Sequence, residues 1–194
     1  MRLFIALWPP APWRCALAPV TEELRSRTPR GSTRFVAPDQ WHVTLRFLGD
    51  VTDAPGRLAQ LEEALRRSIA ACRSFTLALA GLGCFPSLTR PRVLWAGVSG
   101  DTEQLQILQH RVAEATHPFA VSPLEPDFHP HVTLARFREV RRSEAADLAH
   151  ALKAAAPQAV EPWLVDEVHL MESQLRNEGA SYHVRSVFRL GTAP

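Results

Sequence analysis

Trp41-His42-Val43-Thr44-Leu45-Arg46-Phe47-Leu48 decides how this chain is read, because its centre, His-Val-Thr-Leu, returns 89 residues later as His131-Val132-Thr133-Leu134. Other stretches fall into the same register when the comparison is extended outward from these anchors. The helix start near 54 maps onto 143, the strand beginning at Phe75 maps onto one at Leu164, and Arg2-Leu3-Phe4-Ile5-Ala6 lies over Arg92-Val93-Leu94-Trp95-Ala96 at a similar offset. The pattern is two copies of β-α-β-α-β, over about 1–82 and 92–171, followed by an extra strand at 181–190. Two copies are too few for a solenoid. They predict an α+β domain spanning 1–194, built as two pseudo-symmetric lobes facing each other across a pseudo-twofold axis.

The local signals support this order. Leu3–Trp8 reads as a buried strand, and Trp13, Ala16, Leu17, Val20 and Leu24 share one face of the helix that follows. Residues 33–48 are rich in β-branched and aromatic side chains and end at the turn signal Gly49-Asp50. Asp53 is placed to cap a helix carrying Leu58, Leu61, Leu65, Ile69 and Cys72. Phe75–Leu82 reads as a strand, and 83–91, with its glycine and prolines, as the loop between the halves. The second half repeats the series: a strand at 92–98, a helix near 102–116, a strand over 128–138, a helix capped by Ser143, and a strand at 164–171. The turn Asn177-Glu178-Gly179 then leads into the last strand.

Composition bounds the function. Of 194 residues, 46% are apolar and 22% charged, as in ordinary globular proteins. No leader or membrane span is expected, since the apolar run Leu3–Trp8 is short and stops at Pro9-Pro10. Three scattered cysteines, Cys15, Cys72 and Cys84, suit neither a disulfide framework nor a thiolate zinc site, and fit a reducing cytoplasm. Of the 22 basic residues all but Lys153 are arginine, yet the net charge is only +2, so a non-specific grip on nucleic acid is not expected. No glycine-rich phosphate loop is present, which argues against an ATP-dependent ligase.

Strand alternation puts His42 with Thr44, and His131 with Thr133, on one face. Trp41, Val43, Leu45, Phe47, Val132 and Leu134 are expected under the helices. Related by a twofold axis, the two imidazoles and two hydroxyls converge on one cleft. Two imidazoles, one neutral and one protonated, form a general base and general acid across one reacting centre. Threonine hydroxyls bond anionic oxygens without titrating. This combination fits in-line displacement at a phosphodiester.

The two His-x-Thr-Leu motifs, the run Phe128-His129-Pro130-His131-Val132-Thr133-Leu134-Ala135-Arg136 and the opening Arg2-Leu3-Phe4-Ile5-Ala6-Leu7 resemble the 2H phosphoesterase superfamily. Within it they most resemble the RNA 2′,3′-cyclic phosphodiesterases, historically called 2′-5′ RNA ligases. The resemblance implies mainly antiparallel sheet with outer helices and a central cleft. It implies hydrolysis of RNA 2′,3′-cyclic phosphate ends to 2′-phosphate without a metal or cofactor, with reversible 2′-5′ RNA ligation at the same site. By motif position it implies that His42 is the proton donor and His131 the proton acceptor, and that Thr44, Thr133 and Arg136 bind substrate. Strand parity puts Arg136 opposite Thr133, so a bulge near the strand end is required. Alternatives are a small cyclic nucleotide or a 2′-5′ oligonucleotide as substrate, or a non-catalytic RNA-end binding protein. The expected partners are RNA 3′ ends or cyclic-phosphate nucleotides, with no membrane, for a monomer in the cytoplasm.

Several residues are set aside. His129 shares parity with His131, but Gln40 stands at the matching position of the first copy, so backbone support is favoured over metal ligation. Phe128 has core parity. Arg185 and Arg189 alternate outward on the last strand, and a solvated face is the ordinary reading for them.

Overall fold

The computed structural model describes residues 1–28, 31–52, 54–123, 127–176 and 179–191. In chain order the elements are β1 (Arg2–Leu7), α1 (Ala11–Ser26), β2 (Thr33–Phe35), β3 (Val43–Asp50), α2 (Arg57–Ala70), β4 (Phe75–Phe85), β5 (Val93–Gly100), α3 (Thr102–Thr116), β6 (His131–Phe137), α4 (Arg142–Ala154), β7 (Trp163–Val165), β8 (Glu167–Arg176) and β9 (Gly179–Arg189). A short 3-10 turn, Pro38–Gln40, leads into β3. No described helix is long and apolar enough to cross a membrane.

The helices form where apolar side chains recur at helical spacing. On α1 the buried stripe is Trp13, Ala16, Leu17, Val20, Thr21 and Leu24. On α2 it is Leu61, Leu65 and Ile69. Their stripes join one core with Leu3, Ile5, Leu7, Val43 and Leu134 from the sheet. A smaller cluster of Phe4, Ala6 and Met171, with Trp8 and Tyr182 against it, occupies the opposite face of the sheet. The helices therefore cover one face, and the other stays open to form the site.

The strands order as β7-β4-β5-β6-β3-β1-β8-β9, with β2 pairing β6. All the pairings between these strands are antiparallel. The order is a palindrome about the β6–β3 junction, where Val43 stands opposite Val132. The sequence halves and the sides of the sheet divide the chain differently. β4, from the first half, lies beside β5, and β8, from the second half, lies beside β1. Each half thus lends its last strand to the other side.

Some boundaries differ from those expected. The stretch 83–85 continues β4, with Gly83, Cys84 and Phe85 opposite Trp95, Leu94 and Val93. Gly83 is needed for space, since a Cβ there would sit 2.3 Å from the Trp95 ring. The halves therefore join inside a β-hairpin. Ser143 lies inside the first turn of α4; Arg141 is the cap, and its N–H donates to the Glu144 carboxylate at 2.8 Å. The strand at 164–171 is two strands, β7 and β8, parted at Asp166. Asp53 and the turn residues 177–178 lie outside the described residues.

Candidate active site

The antiparallel junction positions the motifs. With Val43 opposite Val132, the next residues outward set His42 against Thr133 and Thr44 against His131. All four side chains leave the face opposite Val43 and Val132, both fully buried in the helix-side core. A cavity of about 370 Å³ is lined by Thr44, His131, Thr133 and Arg136, with Phe85 and Phe128 among its walls.

Arg136 reaches this face through the required irregularity. The β5–β6 register shifts between Leu94, opposite Ala135, and Trp95, opposite Thr133, leaving Leu134 as the extra residue. Leu134 and Ala135 both turn into the core, and Arg136 comes out on the cleft side with Thr133. β3 carries the same device. Its register with β1 shifts between Arg46 and Thr44, leaving Leu45 as the extra residue. Arg46 turns inward, 5% exposed, and its guanidinium donates to the carbonyls of Ser122 and Pro123. Phe47, expected under the helices, instead faces the cleft and is 38% exposed. The bulge shifts the parity of Arg46 and Phe47, and a second register shift follows at Leu48, between Phe47 opposite Phe4 and Gly49 opposite Leu3.

The two imidazoles are anchored alike. Nδ1 of His42 lies 2.7 Å from the Gln40 carbonyl, and Nδ1 of His131 lies 2.7 Å from the His129 carbonyl. A carbonyl oxygen only accepts, so each Nδ1 carries its proton and Nε2 is the nitrogen available for chemistry. His129 thus serves through its backbone, and among the described residues no group of three side chains suited to a metal surrounds it. Phe128 packs partly against the core and also lines the cavity.

Their surroundings differ. His42 stacks on Trp8 at 5.3 Å and 9°, meets Tyr182 edge-on at 5.4 Å, and lies 5.1 Å from Phe4. Burial among these rings, with the charges of Arg136 and His131 nearby, lowers its pKa to about 4; the bond to Gln40 opposes the shift. His131 meets the Phe85 ring edge-on at 5.0 Å. Trp8, Gln40 and Tyr182 were not identified as site residues from the sequence. The one available signal was that Tyr182 is the chain's single tyrosine. Arg185 and Arg189 pair with Glu172 and Glu167 on the neighbouring strand.

The fold and the paired motifs define a phosphoesterase of the 2H type. A solved protein of Thermus thermophilus superposes with a TM-score of 0.73 at 27% identity, covering 99% of each chain. LigT of E. coli, solved with 3′-AMP, superposes with a TM-score of 0.71 at 25% identity, covering 97% of each chain. The family model described as the 2′-5′ RNA ligase superfamily matches residues 9–177, and the chain belongs to that superfamily. An RNA 2′,3′-cyclic phosphodiesterase of Aeropyrum pernix is 36% identical over 149 residues, covering 77% of this chain and 81% of that protein. Another of the same name, from Archaeoglobus fulgidus, is 30% identical over 188 residues, covering 97% and 99%.

Proposed function

We propose that this chain is an RNA 2′,3′-cyclic phosphodiesterase that leaves a 2′-phosphate, with His42 as proton donor and His131 as proton acceptor. The observation that carries the reading is the junction at Val43 and Val132, which sets an imidazole and a hydroxyl from each motif on one face. Water attacks phosphorus in line with the 3′ oxygen. As the new P–O bond forms, the water proton passes to Nε2 of His131. The bond to the 3′ oxygen breaks, and that oxygen takes the proton from Nε2 of His42. The products are a 2′-phosphate and a free 3′-hydroxyl, and the two rings end with their protonation states exchanged. Thr44 and Thr133 donate to the non-bridging oxygens, and Arg136 adds a charge-assisted bond. With a 5′-hydroxyl in place of water as the nucleophile, the same step breaks the bond to the 3′ oxygen and joins two ends through a 2′-5′ linkage, and attack of that 3′-hydroxyl on the linkage reverses it. The names of the relatives support RNA ends as the substrate. The same proposal places the protein as a monomer in the cytoplasm, a reducing setting that suits three scattered cysteines.

The donor role depends on the substrate. With a pKa of about 4, His42 is neutral at pH 7 before substrate binds. A phosphate anion about 4 Å away is worth about 4 kcal/mol at an effective dielectric of about 20, or about three pKa units. That suffices to return the ring to the neutral range, so binding should draw in a proton. Calorimetry of a non-hydrolysable phosphate ligand near pH 7, in buffers of different protonation enthalpy, should show net uptake. Binding without uptake would reassign His42 as the base.

The direct test is incubation with an oligoribonucleotide ending in a 2′,3′-cyclic phosphate. A 2′-phosphate product is expected, at a rate unchanged by excess chelator. A 3′-phosphate product would reverse the leaving group, and no turnover would leave an RNA-end binding protein.

A further inference from the structure

The two halves of the site are related by the palindrome of strands, but the sheet edges flanking them are unequal. Outside β8 lies the eleven-residue β9, while outside β4 lies the three-residue β7. β9 reaches the His42 side of the cleft through two contacts. The Gln40 side-chain amide donates to the Ala180 carbonyl at 2.8 Å, and the Gln40 backbone carbonyl accepts from Nδ1 of His42. Two residues further along β9, the Tyr182 ring stands edge-on to both His42 and Trp8. Trp8 continues the register in which Leu7 faces Val43, which brings it level with His42. The residue level with His131 on β5 is Gly97, which offers no ring.

We propose that β9, acting through Gln40 and Tyr182, clamps the His42 ring against Trp8 and thereby makes the two motif histidines unequal. Gln40 and Tyr182 are positioning residues. Gln40 ties the carbonyl that orients Nδ1 to the edge strand, and Tyr182 closes the box that keeps water from the ring. The proposal rests on the reading of His42 and His131 as the acid–base pair. The titratable and charged groups around the box are Arg136 and His131 on β6, Tyr182 on β9, and His169 on β8, whose ring lies 6.4 Å from Trp8. None of these is removed by Gln40→Ala, so a shift in that variant reports the clamp itself.

The test is an NMR titration of the histidine ring signals in the intact protein, with His42 assigned by loss of its signal in His42→Gln. In Gln40→Ala and Tyr182→Ala the His42 midpoint should rise by about one unit or more, because the gain as water reaches the ring, whose burial is the largest cause of the shift, exceeds the loss from a loosened Gln40 carbonyl bond. Tyr182→Phe keeps the ring edge and should stay within about 0.3 units of the parent. The His131 midpoint should move less than that of His42 in both alanine variants. In turnover assays, kcat should fall about tenfold in the two alanine variants with KM little changed, as expected when an acid–base group is misaligned. An unmoved His42 midpoint in folded Gln40→Ala, or equal shifts at both histidines, would overturn the proposal. If Tyr182→Ala does not fold, Gln40→Ala and Tyr182→Phe still decide it. The titration needs no substrate, so failure of the parent to hydrolyse cyclic phosphate would end the functional reading and leave the clamp test standing.

Discussion

His42 and His131 make the same backbone bond two residues upstream, and everything that separates them lies in what surrounds the rings. For His42 the cost of burial should appear as a pH dependence of stability. Its pKa is about 6.5 in the unfolded chain and about 4 in the folded one, so between these values the unfolded state binds more protons. Stability from this group is therefore full above pH 6.5 and is lost as the pH falls towards 4, by on the order of 3 kcal/mol in total. Urea unfolding at pH 7 and pH 4.5 should show a smaller loss in His42→Phe than in the parent; equal losses would mean that the ring is not desolvated. The shared face of the motif histidines and threonines was legible because strand alternation and the 89-residue repeat fix it. Trp8, Gln40 and Tyr182 were not, because their roles arise from contacts between residues far apart in the chain, with no local pattern to mark them.

The strands show how much of a site depends on one inserted residue. Alternation alone put Phe47 in the core and Arg136 on the wrong face, and Leu45 and Leu134 correct both. The sequence required a bulge for Arg136 but held no sign of the matching one before Phe47, since a bulge is set by the neighbouring strand as well as its own residues. β4 offers a test of local space. At Gly83 an added Cβ meets the Trp95 ring, which lies 5.2 Å from Phe85, the ring against His131. Gly83→Ala should cost about 1–3 kcal/mol by overpacking and slow turnover by tilting Phe85. Gly81→Ala, with nothing within 4 Å, is the control and should have a much smaller effect. Thermal melts of the two variants read the difference directly, and similar melting temperatures would contradict the packing described. The loop expected at 83–91 is confined to 86–91, because Gly83 serves a neighbouring indole within β4 and not a turn.

At the scale of the molecule, the repeat was legible and its consequence for assembly was not. The duplicated motif predicted two related halves, yet strand order depends on long-range pairing that no window of sequence contains. Because β4 pairs β5 and β8 pairs β1, a chain cut in the 86–92 connection leaves each half without the neighbour of an inner strand. Residues 1–90 and 91–194 expressed separately should each lack a cooperative thermal transition, and together they should recover one. A fragment that melts cooperatively alone would show that the exchange is dispensable.

The palindrome has a further consequence for how such a site can change. In a symmetric dimer of half-chains, any substitution next to the axis is made twice, so both copies of a position must accept it. Fusing the copies into one polypeptide lifts that constraint. Positions 47 and 136 occupy corresponding places after corresponding bulges, yet one holds phenylalanine and the other arginine. A single covalent chain lets one side of a mirrored cavity become greasy while the other stays cationic.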